Sequence, residues 1–243
     1  MSAIYRRELM AYFTSPIGYV FSAIFFAISG VCFVSTTVSA GSTNTASYFA
    51  MILLFFVILI PLLTMKLLSE EKKLGTERLL LTSPVSLVGV ICAKFFAAFT
   101  IFAGTLGLSS LLNMLALYDI AKKQEYVIAK MNLPTFLGCI LGVLLIGAAF
   151  IAIGLFISSL TENQIISAVV SIGVFALIMA SSAFAAGIEN DVIRVVVKWF
   201  SVMDRFAGFQ RGIFDITALV YYVSLAAVFL FLTVRVYEKR RWE

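Results

Sequence analysis

The chain is a series of long apolar runs separated by short polar interruptions. No residue between Leu9 and Met65 is charged, and the next nine positions from Glu70 hold six charges: Glu70, Glu71, Lys72, Lys73, Glu77 and Arg78. A membrane-spanning helix needs about 20 mainly apolar residues. Six stretches qualify, at 17–38, 48–68, 88–117, 134–160, 164–187 and 216–234. The pattern predicts an all-α membrane protein with one transmembrane domain over residues 1–243. The first stretch is longer than the 7–15 apolar residues of a signal peptide, so it is read as a retained span.

The interruptions carry their own patterns. Before the first span, Ile4, Tyr5, Leu9, Tyr12 and Phe13 recur at helical spacing while Arg6 and Arg7 face elsewhere. Residues 1–16, with Tyr5, Arg6, Arg7, Glu8 and Leu9 at their centre, are predicted to form an amphipathic helix lying in the headgroup boundary. Ser15-Pro16 ends it, because the residue before proline is biased away from helix. In the charged stretch 69–86, Gly75 can take the left-handed position after a helix. Thr76 can cap a new short helix, with Glu77 in its first turn. Leu79, Leu80 and Leu81 give that helix an apolar side, and Ser83-Pro84 opens the next span. This is an ordered helix–break–helix element, although charge runs are often only solvated faces.

Residues 188–215 are too interrupted by Asp191, Arg194 and Lys198 to span, and Ile188, Val192, Val196, Trp199 and Met203 suggest a helix lying against the membrane or dipping into it. The fourth span carries Gly138, Gly142, Gly147 and Gly154. Gly138 and Gly142 form a G-x-x-x-G pair suited to close helix packing.

Composition agrees with the pattern. The 243 residues are 62% hydrophobic and 13% charged, against about 45–50% and about 25% in soluble domains. The net charge of +5 comes from basic residues at segment ends, which suits membrane flanks and not nucleic acid. Eleven basic residues fall on the N-terminal side of the spans and seven on the other, which places both termini in the cytoplasm. Lys94 counts in that tally simply as one of the eleven.

Candidate chemistry is sparse. There is no histidine, and Cys32, Cys92 and Cys139 form no Cys-x-x-Cys pair. They read as small buried side chains, without a metal site or disulfide framework. The span centres lack ionisable groups, which argues against self-contained ion coupling and against a secondary transporter. Asn113 is the most polar residue near a span. No catalytic set and no G-x-x-x-x-G-K-[ST] phosphate loop is present, so any nucleotide energy would come from another chain.

On "RRELMAYFTSPIGYV" (6–20), "LTMKLLSEEKKLGTERLLLTSPVS" (63–86), "ISSLTENQIISAV" (157–169) and "FQRGIFDITALVYYVSLAAVFLFLTVRVYEKRRW" (209–242), the chain resembles the permease subunit of type-2 ABC transporters, and within it the group that includes the gliding-motility ABC permease. The resemblance implies an N-terminal interfacial helix, six spans, and a coupling helix between spans two and three that contacts the ATPase. It also implies partly re-entrant outer helices between spans five and six. Glu70, Glu71, Lys72, Lys73, Gly75, Thr76, Glu77 and Arg78 then fall in the coupling region. Thr161, Glu162 and Asn163 form the second cytoplasmic turn. The implied assembly is a non-catalytic inner-membrane exporter subunit paired with a second permease copy, identical or a paralogue. Two ATPase subunits would bind ATP and Mg, and an extracytoplasmic accessory protein could complete the complex. The alternative is a membrane scaffold or mechanical relay that translocates nothing itself.

Overall fold

The computed structural model describes residues 2–39, 45–76, 86–123, 132–187, 194 and 201–242. All regular structure among them is helical. The helices are α1 (Ser2–Thr14), α2 (Pro16–Phe33, continuing as a π-helical turn Val34–Val38), α3 (Ala46–Thr64), α4 (Ser69–Lys73), α5 (Leu87–Lys123), α6 (Leu133–Leu160), α7 (Gln164–Ala186), α8 (Val202–Gln210) and α9 (Ile216–Trp242). Six helical segments are long and apolar enough to cross a membrane: α2, α3, α5, α6, α7 and α9. Glu77, Arg78, the short helix expected around Leu79–Leu81, and Ile188, Val192, Val196 and Trp199 lie outside the described residues.

α6 is the hub. It packs against α3, α5, α7, α8 and, most extensively, α9. Small residues let its neighbours approach, the way membrane helices pack when hydrophobic burial supplies no preference between lipid and protein. A Cβ on Gly138 would lie 2.9 Å from the Phe209 carbonyl oxygen, and one on Gly142 would lie 2.9 Å from the Phe206 ring, so both glycines face α8. Gly147 faces Phe102 of α5, and Gly154 faces Thr64 of α3.

Two helices outrun their apolar stretches. α5 is 37 residues long, about 55 Å at 1.5 Å per residue, more than a bilayer core requires. α9 stays helical through its charged end, where Arg235 bonds Glu238 at 2.7 Å one turn on. At the end of the bundle away from the N-terminus, α8 lies against the core through Val202, Phe206 and Phe209, with Met203 half-buried. The Tyr222 hydroxyl donates to the Val202 carbonyl at 2.8 Å. Gly212 turns the chain at φ +73°, and Asp215 then caps α9 by accepting from Thr217 N at 2.8 Å. Asn113 is bound in the protein: its amide donates to Ser29 Oγ at 3.2 Å, and Ser29 also bonds Tyr48 and Ser109. This buried network ties α2, α3 and α5.

Candidate functional site

At the end of the bundle that carries the N-terminus, α1, α4 and α5 converge on Lys94. This side chain lies two turns into α5 and is only 2% exposed. Its Nζ donates to Glu71 Oε1 of α4 at 2.8 Å and to Glu8 Oε2 of α1 at 3.1 Å. Arg7 adds a 2.6 Å bond to Glu8 and stands 3.8 Å from Glu71. A lone buried ammonium would be costly, and two nearly buried carboxylates make it tolerable.

The two carboxylates differ. Burial pushes Glu8 up, but Lys94 and Arg7 together outweigh it and hold the group below the ordinary carboxylate value. For Glu71 burial wins over Lys94, and the nearby Glu8 charge adds to it, so the group sits above that value. Glu8 accepts from both Arg7 and Lys94, whereas the hydrogen bond to Glu71 comes from Lys94, and Glu71 Oε2 is buried with no hydrogen-bond donor among the described residues. Arg7, bonded to Glu8, is raised further.

α1 turns part of its apolar stripe to the protein. Leu9 and Tyr12 pack against the protein core, Tyr12 donates to the Leu63 carbonyl at 3.1 Å, and the Tyr5 hydroxyl meets Thr100 Oγ1 at 2.9 Å. Phe13, expected on the stripe, is exposed, as are Arg6 and Arg7. Glu8 takes the inward position because Lys94 waits there. Gly18 allows the sharp elbow between α1 and α2, since a Cβ there would overlap the Tyr12 carbonyl.

α4 is fixed from a second side. The helical hydrogen-bond ladder breaks after α3, and Ser158 of α6 fills the gap. Its hydroxyl accepts from Leu68 N (3.2 Å) and Ser69 N (3.1 Å) and donates to Met65 O (3.3 Å). Lys72, also buried, donates to the Ser159 carbonyl, placing a cation at the negative end of α6. Ser158→Ala is expected to destabilise the protein by about 1–3 kcal/mol, because two backbone N–H groups lose their acceptor in a buried turn. Denaturant unfolding in detergent measures this, with Ser158→Thr retaining part of the loss.

The residues singled out in the sequence therefore divide. Glu71 and Lys72 point into the protein. Lys73, Leu74, Gly75 and Thr76 are exposed, and Glu70 is half-buried beside Lys66 (3.7 Å). Gly75 takes φ +70°, the left-handed position that ends the short helix. In the second turn Glu162 and Asn163 are exposed and Thr161 is half-buried. Asn163 caps α7 by accepting from Ile165 N at 2.9 Å. This turn comes next to α4, because Ser158 and Ser159, which hold α4, lie in the last turn of α6 just before it. A cleft of about 310 Å³ opens between α1, the elbow and α3–α4, with Tyr12, Leu67, Leu74, Glu70, Glu71 and Lys94 among its walls. Lys94 was legible only as one more flanking basic residue; its partners lie 23 and 86 positions away.

Six spans with this braced charged element at one end define a multi-pass membrane protein. Residues 33–236 match the family model described as ABC-2 family transporter protein. The chain belongs to that family and is the membrane permease component of an ABC transporter. No curated protein matches it. The matched range starts beyond α1, so the place of α1 in the site rests on its contacts with α5.

Proposed function

We propose that the chain is an export permease of the inner membrane whose N-terminal end faces the cytoplasm, and that a separate ATPase subunit docks on the tip of α4. The observation that carries this reading is the division of α4. Glu71 and Lys72 anchor it to α5 and α6, while Lys73 and the C-cap residue Leu74 face outward. Leu74 is 68% exposed at a charged face, the kind of apolar side chain that a partner's surface covers. An element held on two sides passes a push to the helices behind it as rigid-body motion. ATP and Mg bind in the partner, and the family resemblance supports a second permease copy, for which α7 leaves Ile165, Val169 and Leu177 exposed. The motility-like group and an extracytoplasmic accessory protein are further parts of this reading, supported by the sequence resemblance.

The test is co-purification with a co-expressed ABC ATPase subunit from the same genome. Leu74→Asp and Lys73→Glu are expected to weaken the complex by about tenfold or more, or more than 1.4 kcal/mol, while the isolated permease unfolds like the wild type. Unchanged complex formation in both variants would place docking elsewhere. Glu71→Lys is unsuited to this purpose, since it breaks the internal cluster before it reports on any partner.

A further inference from the structure

We propose that the cleft between α1, the elbow and the α3–α4 junction binds the headgroup of a phospholipid that carries a primary ammonium. The cleft measures about 310 Å³, at the lower end of the range of small-molecule pockets. It lies where the chain enters and leaves the bilayer. Ile17 is in the first turn of α2, Leu67 follows the end of α3, and both helices are long and apolar enough to cross a membrane. Phospholipid headgroups occupy that level. Tyr12, Ile17 and Leu67 supply an apolar part of the wall, and the rest of the lining is largely charged.

The charges select the headgroup. Three carboxylates, Glu8, Glu70 and Glu71, share the lining with two ammonium groups, Lys66 and Lys94. Lys94 is spent on Glu8 and Glu71. Two acceptors are then left over. Glu71 Oε2 is buried with no hydrogen-bond donor among the described residues. Glu70 stands 3.7 Å from Lys66, outside hydrogen-bond distance, and both of these side chains are partly exposed. An acceptor buried without a donor is costly, and a primary ammonium brings three N–H donors. Lys66 remains available to a phosphate. So does the Ser15 hydroxyl, which accepts from Ile17 N at 3.2 Å and keeps its own proton to donate. A choline headgroup offers the same phosphate but no N–H. A headgroup with phosphate and no ammonium would meet one carboxylate in excess. The lining therefore suits phosphate and primary ammonium together. The inference needs only the six spans and the seat of α1, and it is independent of the ATPase reading.

The full chain in detergent is mixed with equal amounts of phosphatidylethanolamine, phosphatidylcholine and phosphatidylglycerol of identical acyl chains, and the retained lipid is read by native mass spectrometry. Phosphatidylethanolamine is expected to be retained about tenfold more than either of the others. Stepwise N-methylation of its headgroup is expected to lower retention at each step. That arm uses the wild type alone and stays decisive whatever a variant does to folding. Glu70→Gln removes a carboxylate outside the Lys94 cluster. Ala11→Phe narrows the cleft from an exposed position of α1 without altering a charge. Each is expected to abolish the preference, and Arg211→Gln, at the other end of the bundle, is expected to keep it. Equal retention of the three lipids, a preference for phosphatidylglycerol, or a preference unchanged in either cleft variant overturns the proposal. So does displacement of the lipid by an equal concentration of soluble phosphoethanolamine, which would make the ligand a free zwitterion.

Discussion

Lys94→Met is expected to destabilise the protein by about 3–5 kcal/mol, the usual cost of removing one partner from a buried ion cluster. Glu8 and Glu71 would then face each other at low exposure with only Arg7, itself 60% exposed, to balance them. Thermal or denaturant unfolding of the purified protein reads the effect directly. The same principle sets a second arm, because replacing an entire buried ionic group by neutral residues is often nearly neutral. Lys94→Met combined with Glu8→Gln and Glu71→Gln should recover most of the loss. A single variant as stable as the wild type would show that the cluster contributes nothing to holding α1 and α4 on α5.

The carboxylates also predict how stability follows pH. Glu71 is raised above its ordinary value of 4.5, so the folded state binds its proton more readily than the unfolded chain does. Its contribution is present at low pH and is lost as pH rises through the raised value. Glu8 is lowered from 4.5, so its contribution is present above that value and is lost as pH falls through the lowered one. Acidification from neutral therefore favours the fold first and disfavours it below about 4.5. Glu71→Gln should remove the first phase and keep the second.

The six spans were legible because hydrocarbon imposes a length and a composition on every crossing segment, whatever it packs against. Gly75 was legible for a local reason, the left-handed turn after a short helix. The inward direction of Glu71 was not legible. It depends on the phase at which α4 restarts after the four-residue break that Ser158 stabilises, and nothing in the charged stretch encodes Ser158. The inward direction of Glu8 was not legible either, since its partner Lys94 is 86 positions away and is brought near only by tertiary packing. Among the glycines of α6, the G-x-x-x-G spacing pointed to Gly138 and Gly142. The tighter contacts are at Gly147 and Gly154, which face two other helices and belong to no motif.

Gly147→Ala puts that tightness to a test in which the sign alone decides. In an unconstrained helix, glycine to alanine gains about 0.8–1.0 kcal/mol of propensity. Here the new methyl would overlap the Phe102 ring, and that ring has nowhere to go. It meets Phe56 edge-on at 5.3 Å, Phe25 at 6.4 Å and Phe99 at 6.4 Å, and it is fully buried. Overpacking of this kind costs about 1–3 kcal/mol, enough to reverse the propensity gain, so the variant is expected to be less stable than the wild type. Gly173 on α7 has open space where its Cβ would go, and Gly173→Ala is expected to be neutral or stabilising in the same unfolding assay. Phe102→Leu in the Gly147→Ala background should restore part of the loss by vacating the contested volume. If both glycine variants gained stability equally, α6 would not be wedged against α5. That would remove the physical basis for treating α6 as the rod that joins the Ser158–Ser159 anchor of α4 to the Gly138–Gly142 seat of α8 at the opposite end.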